Sequence, residues 1–107
     1  LVLAPRLASA NGRLGQIELS RGQYPSARTH LEAAFAATPG RQSVAQLHGE
    51  SLAITGDVDG AAAVWRPLAL DADQLLLREA WYRLIGEAQR ADWIRDAAAR
   101  ARQRQAP

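Results

Sequence analysis

Few side chains in this sequence could do chemistry, and their spacing decides against most of it. His30 and His48 are the two histidines. A metal site needs three or four convergent ligands, and no His-x-x-x-His or Glu-x-x-His spacing occurs, so both are expected on or just under helix surfaces. Asp57-Val58-Asp59-Gly60 opens like a calcium loop. That pattern requires a third ligand before its glycine and a glutamate six residues after it, where Arg66 stands. Asp57 is better read as a helix N-cap, with Asp59 complementing the dipole of the first turn. Gly12-Arg13-Leu14-Gly15 is followed by no lysine-bearing phosphate loop and reads as helix packing. Ser9, Ser20, Ser26, Ser43 and Ser51 show no nucleophile elbow. The carboxylates are scattered, with no pair in an apolar pocket that would split their titration. Cysteine is absent, which removes disulfides, thiolate nucleophiles and Cys-based metal sites together. The expectation is a protein without catalytic residues, metal or cofactor.

Two further groups could serve binding. Arg95, Arg100, Arg102 and Arg104 make the C-terminal segment basic. No aromatic side chains interleave them to stack bases, so they read as cations complementing the end of a helix, and no nucleic-acid partner is expected. Trp65 and Trp81 fall on apolar helical faces and are expected in the core. Trp93, beside Ile94 near a helix start, is the tryptophan expected to be exposed and to make contacts.

Those side chains must be positioned by helices. The chain has 107 residues, one domain's worth, with 48% hydrophobic and 22% charged residues and a formal charge of +2; this is ordinary for a globular domain. All thirteen basic residues are arginine; with the abundant alanine, this points to a GC-rich genome rather than to a function. No apolar stretch reaches the roughly 18 residues that span a bilayer, so no membrane insertion is expected. A cysteine-free chain suits the cytosol and the periplasm equally. The start at Leu1-Val2-Leu3, without methionine, reads first as a domain excised from a longer protein and second as what is left of a processed or anchored N-terminus.

Strand signals are poor, and good helix formers dominate. The breaks predict six helices: about Pro5 to Arg21, Tyr24 to Thr38, Gln42 to Thr55, Asp57 to Leu70, Gln74 to Gln89 and Asp92 to Arg104. Their apolar stripes are Leu7, Leu14, Ile17 and Leu19; Ala27, Leu31, Ala34 and Phe35; Val44, Leu47, Leu52 and Ile54; and, on the fifth, Leu77, Ala80, Trp81, Leu84 and Ile85. Pro67 should kink or shorten the fourth helix. The tail Gln105-Ala106-Pro107 should fray. Turns this short force antiparallel pairs.

The strongest signal is self-similarity at one fixed offset, which separates Gly15 from Gly49, Gly22 from Gly56, Ala27 from Ala61 and Leu31 from Trp65. A mid-helix glycine costs about 1 kcal/mol against alanine, so Gly15 and Gly49 imply a partner helix in close approach. Ala27 and Ala61 are expected to face them, with Leu31 and Trp65 as plugs between successive pairs.

On these residues the sequence resembles the tetratricopeptide repeat family, whose pattern is Trp, Leu-Gly and Tyr on one helix and Ala, Phe and Pro on the next. Leu14-Gly15, Ala27 and Pro39 match it, Leu31 stands for the Phe, and Asn11 and Glu18 replace the Trp and Tyr. In the second unit Gly49 and Ala61 match, Trp65 and Leu52 replace the Phe and Tyr, Ala45 and His48 depart from the Trp and Leu, and Asp73 stands for the Pro. The resemblance implies an all-α, right-handed helix-hairpin solenoid of six helices. It has repeats at about 8–41 and 42–75 and a divergent third pair at about 76–104, where Arg83 falls in place of the next glycine. It also implies a groove that binds a protein or peptide segment, lined by Ser9, Gly12, Gln16, Ser20, Gln46, Glu50 and Ile54. A carboxylate clamp of lysines and asparagines is not expected, since Asn11 is the one asparagine and lysine is absent. The alternative is a spacer or self-association module, with an apolar patch near Trp93 and Ile94.

Overall fold

A computed structural model describes the backbone of residues 3–103 and the side chains of residues 9–103. The expectations for the Leu7 side chain, Arg104 and the tail lie outside the described residues. The described residues form six α-helices and no strand: α1 (Leu3–Ser20), α2 (Tyr24–Ala37), α3 (Gln42–Ile54), α4 (Val58–Trp65), α5 (Ala72–Leu84) and α6 (Ala88–Arg102). The shortest dimension is 21 Å, the thickness of two helices laid side by side. No described helix is long and apolar enough to cross a membrane.

Each antiparallel pair closes with one kind of turn. Gly22, Gly56 and Gly86 hold φ of 74°, 96° and 88°, the left-handed region that glycine enters without a Cβ penalty. In each, the residue after the glycine donates its N–H back into the preceding helix: Gln23 to Glu18, Asp57 to Leu52 and Glu87 to Tyr82, at 2.9, 2.9 and 2.7 Å. This is the Schellman arrangement that satisfies the last carbonyls of a helix. The third turn corrects the expected boundary, because the fifth helix ends before Gly86 and the sixth begins at Ala88. Gly86 follows Gly56, and Ala91 follows Ala61, four positions sooner than Gly56 follows Gly22 and Ala61 follows Ala27.

The expected close approach at the mid-helix glycines is present, with a different partner. A Cβ on Gly15 would lie 2.4 Å from Leu31 Cγ, and a Cβ on Gly49 would lie 2.1 Å from Trp65 Nε1. Leu31 and Trp65 therefore seat on the glycines of their own pairs. Ala27 and Ala61, fully buried, belong to the surrounding core. Trp65 Nε1 donates to the Gln46 carbonyl at 3.1 Å, which gives the buried indole its polar partner.

Asp57 caps α4, accepting from Gly60 N at 2.9 Å. A Cβ on Gly60 would meet that carboxylate at 2.4 Å, so the acid and the glycine of the calcium-like motif are a cap and the space for it. Pro67 shortens α4, which ends at Trp65.

The central element is α3. It is buried continuously from His48 to Ile54 because its pair partner α4 packs along it and α2 and α6 also close on it. The last pair joins the rest through α6, which lies along both α4 and α3, whereas the first pair joins through α2. Buried Ala91, Ala97, Ala98 and Ala101 let α6 come close. The α5 helix stands farther off α3, and long side chains span the gap.

Three expectations for the apolar faces are corrected. Leu14 and Ile17 of α1 are exposed, and Leu19 is the buried residue. Ile94 is buried, and Trp93 is half-buried against the core and over Gly56, so no apolar patch lies there. On α5 the stripe of Leu77, Ala80, Trp81, Leu84 and Ile85 faces solvent, with Leu84 82% exposed. The face turned inward carries Leu75, Arg78 and Tyr82. Periodicity finds a stripe; it does not say which stripe a buried partner holds.

Candidate functional site

Hollows open along one side of α1 and α3 and are walled on the far side by α5. The largest, about 420 Å³, is lined by Gln16, Gln42, Ser43, Gln46, Leu47, Glu50, Asp71, Gln74 and Arg78. A second, about 350 Å³, shares Gln16, Ser43 and Leu47 with it and adds Ser9, Gly12, Arg13 and Arg41. A third reaches Leu19, Ser20, Gln74 and Arg78. Together they form a continuous groove.

Of the seven residues expected to line a groove, Ser9, Gly12, Gln16, Ser20, Gln46 and Glu50 lie in these hollows. Ile54 does not: it is fully buried in the core. The reason is geometric, since by the end of α3 the helix has turned its face to α6 and to the Arg90 side chain, which donates to the Ile54 carbonyl. Sequence reasoning missed Gln42, Ser43, Asp71, Gln74 and Arg78. The signal that could have found Arg78 is the shorter offset of the third pair, which sets Tyr82 in register with Glu18 and Leu52 and brings Arg78 one turn before it.

The floor of the groove is ionic. Glu50 is 3% exposed. Arg78 meets its carboxylate as a fork, Nε to Oε1 at 2.9 Å and Nη2 to Oε2 at 2.7 Å, the bidentate geometry that makes such pairs strong. The Tyr82 hydroxyl donates to Oε2 at 2.7 Å. Burial, then the negative charge of Glu50, pushes the Tyr82 phenol far above its ordinary value. Burial acts against the charge on Arg78, yet the hydrogen bond and charge of Glu50 outweigh it and hold the guanidinium protonated. Tyr82 in turn packs on Tyr24, ring centres 6.1 Å apart, and Arg90 lies over Tyr24 at 4.1 Å. The triad thus ties α5 to α3, and the aromatic contact carries it to the start of α2.

The rim carries amides and hydroxyls, with Asp71 beside Gln74 and with Arg13 and Arg41 toward the α1 end. Gln42 is held by the Ala69 carbonyl at 2.9 Å. The basic residues of α6 are mostly engaged elsewhere: Arg95 pairs with Asp92, and Arg100 with Asp59 of α4.

His48 lies behind the groove. It is buried, stacked on Phe35 at 4.8 Å, and its Nδ1 has no hydrogen-bond partner. Burial pushes its imidazole below the free value of 6.5, against the attraction of Glu32. A folded state that resists protonation loses stability relative to the unfolded chain as pH falls below the free value toward the depressed folded one. The denaturation midpoint should therefore drop on mild acidification. His48→Phe, which keeps the stack, should flatten that drop; an equal pH dependence in both proteins would assign it to other groups. Among the described residues no group of three His, Cys, Asp or Glu could hold a metal ion.

No protein-family model, no curated protein and no solved structure matches this chain.

Proposed function

We propose that this is a protein-interaction scaffold of the tetratricopeptide kind, a right-handed stack of helix hairpins whose groove holds an extended or helical segment of a partner protein, and that it is not an enzyme. The observation that carries the reading is the groove lining. Gln16, Gln42, Gln46 and Gln74 surround one hollow, and amide side chains both donate and accept, as a peptide backbone does. Support for the repeat reading comes from Leu31 and Trp65, which seat in the same way on Gly15 and Gly49, glycines that share their offset. The third pair, taken at its shorter offset, restores a tyrosine and an alanine of the family pattern at Tyr82 and Ala91. The salt-bridged floor fixes the spacing of α3 and α5, so little ordering remains to oppose binding.

A photo-crosslinking side chain at Gln46 or Gln74 should capture a protein in native extract, and Gln16→Arg should abolish that capture. The same side chain at Ala63, exposed on α4, should capture nothing specific. Capture of the same protein from Ala63, or indifference to Gln16→Arg, would defeat the groove reading.

A further inference from the structure

The outer face of α5 carries five large apolar side chains in the open: Leu76, Leu77, Trp81, Leu84 and Ile85, exposed by 62, 64, 37, 82 and 45%. Leu77, Ala80 and Leu84 are spaced i, i+3, i+7 and Trp81 adjoins them, so they form one stripe along the helix. The stripe exposes on the order of 500 Å² of apolar surface, in the upper part of what a monomer's largest patch shows and the size at which such patches are functional. Nothing in the groove uses it: the groove takes Gln74 and Arg78 from the other side of the same helix.

From this face we propose that the chain forms a two-fold dimer in which α5 packs antiparallel against α5 of a second copy. Two features favour a copy of itself over another occupant. Antiparallel pairing sets the two helix dipoles in opposition. Ala80 sits in the middle of the stripe, where a two-fold axis would pass; its small side chain lets the backbones approach, and the axis then sets Leu76 and Leu77 of one copy against Leu84 and Trp81 of the other. Such an interface is isologous and closes on itself. The apolar core supplies more than half of the roughly 800 Å² per partner of a standard interface, and the polar flanks of α5 supply the rest. The groove stays open, so each dimer presents two.

Sedimentation equilibrium should show a mass rising with concentration to twice the 11.6 kDa of the chain. Leu77→Glu and Leu84→Glu, both at exposed positions, should sediment as monomers while keeping the helical circular dichroism of the parent. Since the chain has no cysteine, Ala80→Cys should oxidise to a disulfide-linked dimer, and Ala63→Cys on α4 should not. A monomer at every concentration overturns the proposal, as does a dimer that survives both glutamates. Open-ended growth of mass overturns it too, because that requires a head-to-tail contact, for example with exposed Leu14 and Ile17. None of these outcomes alters capture at Gln46, so the dimer and the groove stand or fall separately.

Discussion

Gly49→Ala should destabilise this protein by about 2 kcal/mol or more, although it replaces the poorest ordinary helix former with the best. On an exposed helix the change would gain about 1 kcal/mol. Here the new methyl would lie 2.1, 2.5 and 2.6 Å from three atoms of the Trp65 indole. That ring is fully buried and held by its hydrogen bond to Gln46, so it cannot swing aside. Overpacking of a close-packed site costs about 1–3 kcal/mol and sometimes more, and a rigid neighbour puts Gly49 at the upper end. Trp65→Ala should cost about 3–5 kcal/mol through the cavity it leaves. The informative protein is the double variant. With the indole gone, Gly49→Ala should turn neutral or stabilising, giving a coupling of at least about 2 kcal/mol between two residues on facing helices. Additive losses in urea titrations would mean that the glycine answers to something other than Trp65. Gly15→Ala should follow the same rule more gently, because Leu31, unlike an indole, has a flexible side chain to adjust.

That pair also shows why parts of the fold were legible. A glycine inside a helix is costly, so the recurrence of Gly15 as Gly49, each followed at the same distance by a large side chain, Leu31 or Trp65, points to a close helical contact before any coordinates exist. Turn glycines are legible for the same reason, and Asp57 followed by Gly60 reads as a cap. What the sequence hid was the third pair. Its turn comes four positions early against the register of the first two, so Gly86 and Ala91 fell out of alignment. The α5 face was hidden for a different reason. A run rich in leucine offers two stripes, and Leu75 with Tyr82 is buried in place of Leu77 with Leu84 because only the inner stripe brings Arg78 and Tyr82 to Glu50. A buried carboxylate on another helix is a long-range cause, and no local pattern carries it. The groove residues on α1 and α3 followed from the family resemblance, which assigns the groove to the first helix of each pair, whereas Ile54 went wrong at the end of α3, where another helix closes over that face.

Glu50→Ala should be the most damaging of the polar substitutions, at about 3–5 kcal/mol, because it strips two partners at once and leaves the Arg78 charge uncompensated at the groove floor. Glu50→Gln should cost less, since the amide oxygen still accepts from Tyr82 and Arg78 and only the charge is lost. The contrast that identifies the cause is a triple replacement, Glu50→Leu with Arg78→Met and Tyr82→Phe. Removing every member of a buried ionic cluster together is often neutral or stabilising, so the triple variant should recover most of what Glu50→Ala loses. If it stays as unstable as the single variant, the damage arises from packing rather than from an orphaned charge. The cluster has an alkaline signature as well. The Tyr82 phenol is raised far above its ordinary value of 10.0 in the folded state, and Tyr24 is raised too, through burial and the charge of Glu87. Groups whose folded values lie above their unfolded ones contribute stability that is intact below the unfolded value and lost as pH rises past it. Stability should therefore decline above pH 10.0, and Tyr82→Phe should remove the larger part of that decline. The recovered triple variant would then test the groove itself. It keeps the rim amides but surrenders the fork that fixes α5 against α3, so weaker capture at Gln46 without loss of stability would locate the contribution of the salt bridge in pre-organisation of the binding surface.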